Sequence, residues 1–165
     1  MARVLIAALA AGAVTLGAGL AHDAVARAPA VEVVFLDVGQ GDAILIRLPG
    51  GRAVLVDGGP AGAGERVIGP YLRHAGQGRL DLIFVTHFHD DHVGGLVEVA
   101  RDPSIAIGQV VVGPGWLGGG GGRVYDLSVL SREFLNAAEE RDLPVREAAA
   151  GDVLVTARGG VRPEV

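Results

Sequence analysis

The stretch LDLIFVTHFHDDH, residues 80–92, decides how the rest of the chain is interpreted. Its first half is a short, largely apolar run of the kind that a buried β-strand requires. Its second half concentrates three of the chain's five His and two Asp within six positions. So dense a set of ligand-type side chains at the exit of a buried strand predicts a binding site rather than a solvated surface loop.

The spacing of these side chains predicts two divalent metal ions. His87 and His89 are two positions apart, so in an extended loop their rings point the same way and can bind one cation. Asp91 and His92 follow after a bend and can bind a second. The chain has no Cys, so His and carboxylates are the available ligands, and they suit both Zn²⁺ and Mn²⁺. Zinc is the default assignment, and Asp90 is assigned to the protein surface.

The flanking sequence predicts an α+β fold, with helices laid against a mixed β-sheet. Half of the residues are apolar and 20% are charged, which is enough to bury a core. Alternating or compact apolar runs between turn signals predict strands at 31–37, 42–48, 52–57, 80–85, 105–112, 145–147 and 153–156. Helical spacing predicts helices at 65–74, kinked by Pro70, at 93–100, and from a cap at Asp126 or Ser128 to about 142.

The residues that follow the strand predicted at 80–85 resemble the signature of a known family. H-x-H-x-D-H after an apolar strand and Thr86, followed by two glycines, resembles the signature of the metallo-β-lactamase superfamily. The resemblance implies an αβ/βα sandwich, with His87 and His89 binding the first metal and Asp91 and His92 the second. Asp57, which ends the run LVDGG, resembles the acid that orients metal-bound imidazoles in that family. The alternative is that Asp57 only begins a turn.

A second motif, FLDVGQGDAILI at residues 35–46, narrows the resemblance to the extracytoplasmic hydrolase domain of ComEC/Rec2-type competence proteins, or to a stand-alone secreted relative. Asp37, Gln40 and Asp42 belong to this motif, and they either shape the hairpin beside the metals or touch substrate. The resemblance implies a phosphodiesterase or nuclease acting on DNA or another phosphodiester. Asp91 would then orient the attacking water as well as bind metal. The alternatives are a lactonase or β-lactamase-like hydrolase, and an inactive remnant or binding module.

The two ends of the chain carry separate expectations. Residues 1–30 contain Arg3 and a long Ala- and Gly-rich apolar run, which predicts a signal peptide or a membrane anchor and an extracytoplasmic location. Residues 31–165 are expected to form the N-terminal part of the sandwich, because no His follows His92 to complete the family's ligand set. Half a sandwich is expected to leave an apolar sheet face uncovered.

The net charge of −5 excludes a general polyanion binder, and the oligomeric state stays open.

Overall fold

The computed structural model describes residues 31–117 and 127–154 of the chain. The predicted leader at 1–30, the alternative cap Asp126, the last two residues of the strand predicted at 153–156, and part of the glycine-rich stretch after Gly113 lie outside these residues. Eight strands and three α-helices are described, so the α+β prediction of a mixed sheet with flanking helices is confirmed.

The first three strands form an antiparallel meander, as the alternating pattern predicts. The strands are β1 (Glu32–Phe35), β2 (Ile44–Leu48) and β3 (Arg52–Val56), with Val34 opposite Leu45 and Ile46 opposite Val54. The first two are shorter than predicted, because the connection between them is a wide loop rather than a tight turn. Leu36 N–H bonds the Ala43 carbonyl at 2.9 Å and closes that loop, which holds the whole DVGQGD motif.

The second part of the sheet is parallel. β3 pairs with β5 (Leu82–Val85), β5 with β7 (Val110–Val112) and β7 with β8 (Val145–Glu147), which gives the order β1-β2-β3-β5-β7-β8. Each parallel step is spanned by helix: α1 (Gly69–His74), α2 (Asp90–Arg101) and α3 (Val129–Glu140). Parallel pairing matters for function because it delivers the ends of β3 and β5 to the same edge of the sheet.

The regions predicted as single strands at 80–85 and 105–112 each contain two short strands, so the prediction of one continuous strand in each region was wrong. Short strands β4 (Arg79–Leu80) and β6 (Ala106–Ile107) pair with each other in a separate two-stranded sheet. The first break falls at Asp81, where the backbone N–H bonds the Ala53 carbonyl at 2.8 Å and the carboxylate accepts the Ala53 N–H at 3.0 Å. These long-range bonds override the local apolar pattern.

Two of the three helices differ from the prediction at their starts. The segment predicted at 65–74 is a π-helical turn, Gly64–Ile68, followed by α1, so Pro70 lies in the first turn of α1, where its missing N–H costs nothing. α2 begins at Asp90 rather than at residue 93, which places Asp90 and Asp91 at the positive end of the helix dipole. Ser128 caps α3 by accepting the Ser131 N–H at 3.1 Å, as predicted.

The main core lies between the helices and one face of the sheet. Every second strand residue points into it, and the fully buried side chains there include Leu45, Leu55, Ile83, Leu96 and Phe134. The other sheet face is also apolar, with buried Val54, Leu82 and Val111 packed beside half-buried Ile46, Val56 and Phe84. On the same face Phe35 of β1 is 70% exposed.

Glycines allow α2 to lie against the turn that follows β3. A Cβ on Gly95 would lie 2.1 Å from the Gly58 carbonyl oxygen, and one on Gly94 would lie 2.3 Å from the Ala61 nitrogen. Gly95 N–H bonds the Gly59 carbonyl, and Gly58 N–H bonds the carbonyl of His92. The helix that carries two of the predicted metal ligands is thereby fixed to the end of β3.

We predict that Gly95→Ala lowers the free energy of unfolding by about 1–3 kcal/mol, because the added methyl group overlaps backbone atoms that cannot move independently. Helix propensity alone has the opposite sign and favours Ala by about 1 kcal/mol. Urea unfolding of the metal-free protein measures the difference. Gly78→Ala is the matched control, since its Cβ would meet nothing within 4 Å. Equal midpoints for Gly95→Ala and the wild type would contradict the close contact.

Candidate metal centre

The candidate site lies at the edge of the sheet where β3 and β5 end. Val56 is opposite Phe84 in the parallel pair, and the Asp57 N–H continues the ladder to the Phe84 carbonyl at 2.9 Å. Asp57 therefore leaves β3 beside the point where Thr86 leaves β5. The chain then passes through His87 and His89 and enters α2.

Asp57 is the buried acid of the site, with 1% of its surface exposed. Its Oδ1 accepts the Thr86 N–H at 2.9 Å, and its Oδ2 lies 2.6 Å from Thr86 Oγ1 and 2.9 Å from His92 Nδ1. Its φ of +54° is in the left-handed region, which is uncommon for a residue other than glycine. These contacts orient the His92 ring and leave its Nε2 directed away from Asp57. The role of Asp57 in orienting a metal-bound imidazole stays a prediction.

The three imidazoles lie together. His87 Nε2 is 3.1 Å from His89 Nδ1, and the ring centroids of His87 and His92 are 4.0 Å apart. Asp91 joins them from the first turn of α2, with its Oδ1 3.9 Å from His92 Nε2. All four side chains predicted as metal ligands are thus brought to one place.

One set of neighbouring donor atoms includes Asp57 and takes one imidazole from each predicted pair. Donor atoms of Asp57, His87 and His92 all lie within 4.8 Å of one another, so His87 is close to both of the other imidazoles. The assignment of His87 and His89 to one ion and Asp91 and His92 to another stays a prediction. Imidazole nitrogens and carboxylate oxygens are nevertheless the donors that Zn²⁺ and Mn²⁺ accept, so the residues present fit a divalent metal.

The pKa values of two side chains in the site are lowered, which favours the deprotonated form that binds a cation. Partial burial, followed by the nearby charges of His92 and His89, lowers the pKa of His87 below 6.5 and favours the neutral ring. The hydrogen bond from the Gln40 amide lowers the pKa of Asp91 and favours its carboxylate. Metal binding requires both of these deprotonated forms.

The loop that carries the DVGQGD motif lies against the start of α2. Gln40 Nε2 donates a hydrogen bond of 3.2 Å to Asp91 Oδ2, and Asp42 Oδ2 lies 3.9 Å from His92 Nδ1. A Cβ on Gly41, whose φ is +88°, would overlap the Asp91 carbonyl. Asp37 is exposed, and no hydrogen bond or ion pair joins its carboxylate to another described residue. The loop therefore shapes the site through Gln40 and its glycines, and a contact of Asp37 with substrate stays a prediction.

Two supporting residues were not assigned by the sequence analysis. Thr86 was identified only as part of the signature, yet its hydroxyl lies between Asp57 and His87 Nδ1, 2.9 Å from the latter. Phe88 anchors the loop between His87 and His89, since its ring is 4% exposed and packs edge-on against Trp116 with centroids 5.3 Å apart. That contact places the indole against the core beneath the loop.

Comparison with known proteins agrees with this geometry. Residues 36–161 match the family model described as the metallo-beta-lactamase superfamily, and the chain belongs to that superfamily. The chain is 27% identical over 139 residues to ComE operon protein 3 of Bacillus subtilis (strain 168), and 38% identical over 72 residues to competence protein ComA of Neisseria gonorrhoeae. The alignments cover 74% and 44% of this chain but only 16% and 10% of those proteins. The resemblance to the superfamily and to competence proteins is thereby confirmed.

Within residues 31–117 and 127–154, no helix combines the length and the apolar character that crossing a bilayer demands.

We predict that Asp57→Asn weakens zinc binding by about 10–100-fold, because an amide cannot accept all the hydrogen bonds that now hold Thr86 and His92. Competition with a chromophoric chelator measures the affinity of the metal-free protein. Asp90→Asn is the matched control, since it makes the same change at an exposed position next to Asp91. Unchanged zinc affinity in a folded Asp57→Asn protein would show that the acid does not orient a ligand.

We predict that the His87 ring of the metal-free protein titrates below pH 6.5, as its burial and its neighbouring imidazoles require. The unfolded chain then binds more protons than the folded chain just below pH 6.5, so this group's contribution to stability falls as the pH drops from 6.5 through the folded pKa. NMR titration of the ring protons in water and in concentrated urea compares the two states. A midpoint at or above 6.5 in the folded protein would refute the prediction.

Proposed function

We propose that this protein is an extracytoplasmic metal-dependent phosphodiesterase or nuclease that binds two divalent ions, zinc by default. Membership of the superfamily supports hydrolysis as the reaction class. The observation that carries the proposal is the convergence of His87, His89, His92 and Asp91 at the end of β5, beside the buried Asp57.

The residues of the site have distinct roles in this proposal. The imidazoles of His87, His89 and His92 bind metal, and Asp57 with Thr86 holds two of these rings in fixed orientations. Bound divalent ions supply Lewis-acid stabilisation and lower the pKa of water toward neutrality. Asp91 binds metal and accepts a hydrogen bond from the attacking water, because its carboxylate is partly open to solvent, with 32% of the side chain exposed.

A phosphodiester substrate is favoured by the DVGQGD motif and by the names of the relatives. One relative is named competence protein ComA, and the match to the other, ComE operon protein 3, covers 74% of this chain. Because the net charge of the chain is −5, the affinity for DNA must come from bound metal and local contacts rather than from a basic face. The extracytoplasmic assignment rests on the Ala- and Gly-rich sequence of residues 1–30.

We predict that the zinc- or manganese-loaded protein cleaves single-stranded DNA, that a chelator abolishes the cleavage, and that His87→Ala and His92→Ala each reduce it by at least about 100-fold. Gel analysis of a labelled oligonucleotide measures the rate. His74→Ala is the matched control, since it removes an exposed imidazole at the end of α1. A chromogenic β-lactam and a lactone are assayed in parallel.

Two outcomes would overturn the proposal. Cleavage of the lactam or the lactone without cleavage of DNA would assign the protein to another hydrolase class that uses the same metals. Fewer than about one metal ion per purified chain, together with no hydrolysis, would identify an inactive remnant or a binding module.

A further inference from the structure

We propose that Gln40 is a positioning residue for Asp91. Its side-chain amide fixes the carboxylate so that one oxygen is occupied and the other faces the metal side of His92. The inference rests on the proposed metal-dependent function, because it assigns Gln40 a role in preparing a metal ligand. Of the two roles left open for Gln40, the inference favours shaping the hairpin beside the metals over touching substrate.

The two oxygens of Asp91 have different surroundings. Oδ2 accepts the hydrogen bond from Gln40 Nε2 at 3.2 Å. Oδ1 points the other way and lies 3.9 Å from His92 Nε2, the ring nitrogen that Asp57 leaves free. A carboxylate held at one oxygen presents the other in a single direction, whereas an unrestrained carboxylate rotates about its last bond.

The backbone that carries Gln40 is fixed relative to Asp91. Gly41 has a φ of +88°, and a Cβ there would lie 1.7 Å from the Asp91 carbonyl oxygen, so the loop and the first turn of α2 touch through backbone atoms. The Asp42 carbonyl accepts the Gly59 N–H at 2.7 Å, which ties the loop to the end of β3. Gln40 therefore reaches Asp91 from a rigid support, although the two residues are 51 positions apart.

The chemistry of an amide suits this role. The glutamine NH₂ group donates a hydrogen bond without bringing a charge, so it restrains the carboxylate and leaves its negative charge available to a cation. A glutamate of the same length has no donor when ionised and would repel Asp91. An asparagine keeps the amide but is one methylene shorter, so it removes the contact without adding charge.

The test is a metal titration in the absence of substrate. Gln40→Ala, Gln40→Asn and Gln40→Glu are loaded with Co²⁺, and the visible absorption bands and competition with a chelator report the environment and affinity of each bound ion. Asn136→Ala, which removes an exposed amide from α3, is the control. We expect all three Gln40 variants to bind the ion that Asp91 contacts about 10–100-fold less tightly than the wild type and to alter the absorption bands of that ion.

A double-mutant cycle separates positioning from a general effect on structure. In an Asp91→Ala background, the Gln40→Ala substitution is expected to change metal affinity by less than about twofold, because the group that it orients is absent. An equal effect of Gln40→Ala with and without Asp91 would overturn the inference. Unchanged metal affinity and spectra in all three single variants would overturn it as well.

Failure of the Gln40 inference is distinguishable from failure of the proposed function. A wild-type protein that binds Co²⁺ but cleaves no DNA contradicts the proposed function, and the same titration still decides the role of Gln40. A wild-type protein that binds no Co²⁺ contradicts both proposals.

Discussion

The site depends on one buried carboxylate and its hydrogen bonds. Asp57 is almost completely removed from solvent, and a carboxylate in that position is tolerated only when its lone pairs are satisfied. Thr86 and His92 provide those bonds, so the end of β3, the end of β5 and the first turn of α2 must meet at this residue. The same bonds that stabilise the buried acid set the orientation of the ligand-type imidazoles.

Backbone contacts at glycines reinforce that arrangement. Gly41 brings the motif loop onto Asp91, and Gly95 brings α2 onto the turn after β3. Neither contact leaves room for a β-carbon, so both positions require glycine for steric reasons. The side chains of the candidate site consequently come from three parts of the chain, yet each is held by backbone on a rigid element. Such rigidity is what preorganises ligands for a metal.

Much of the fold could be predicted from the sequence because its signals are local. The alternation in residues 31–56 and the apolar run before Thr86 predict the meander and the buried strand, and Ser128 predicts the start of α3. The start of α2 was missed because Asp90 and Asp91 carry no apolar periodicity. The break at Asp81 and the bond between Gln40 and Asp91 join residues far apart in the sequence, which local patterns do not reveal. The candidate ligand residues were predicted from their density and from the family resemblance, whereas their arrangement in space requires three-dimensional distances.

We propose that the imidazoles of His87, His89 and His92 and the carboxylate of Asp91 bind two divalent metal ions between them, with Asp57 supporting these ligands. Anomalous diffraction at the zinc absorption edge, from crystals of the zinc-loaded protein, tests it most directly. The account predicts anomalous peaks about 2.0–2.2 Å from ring nitrogens of these imidazoles and from an Asp91 oxygen. Asp57 should keep its bonds to Thr86 and His92. Zinc bound elsewhere, or no zinc among these side chains at full loading, would contradict the account.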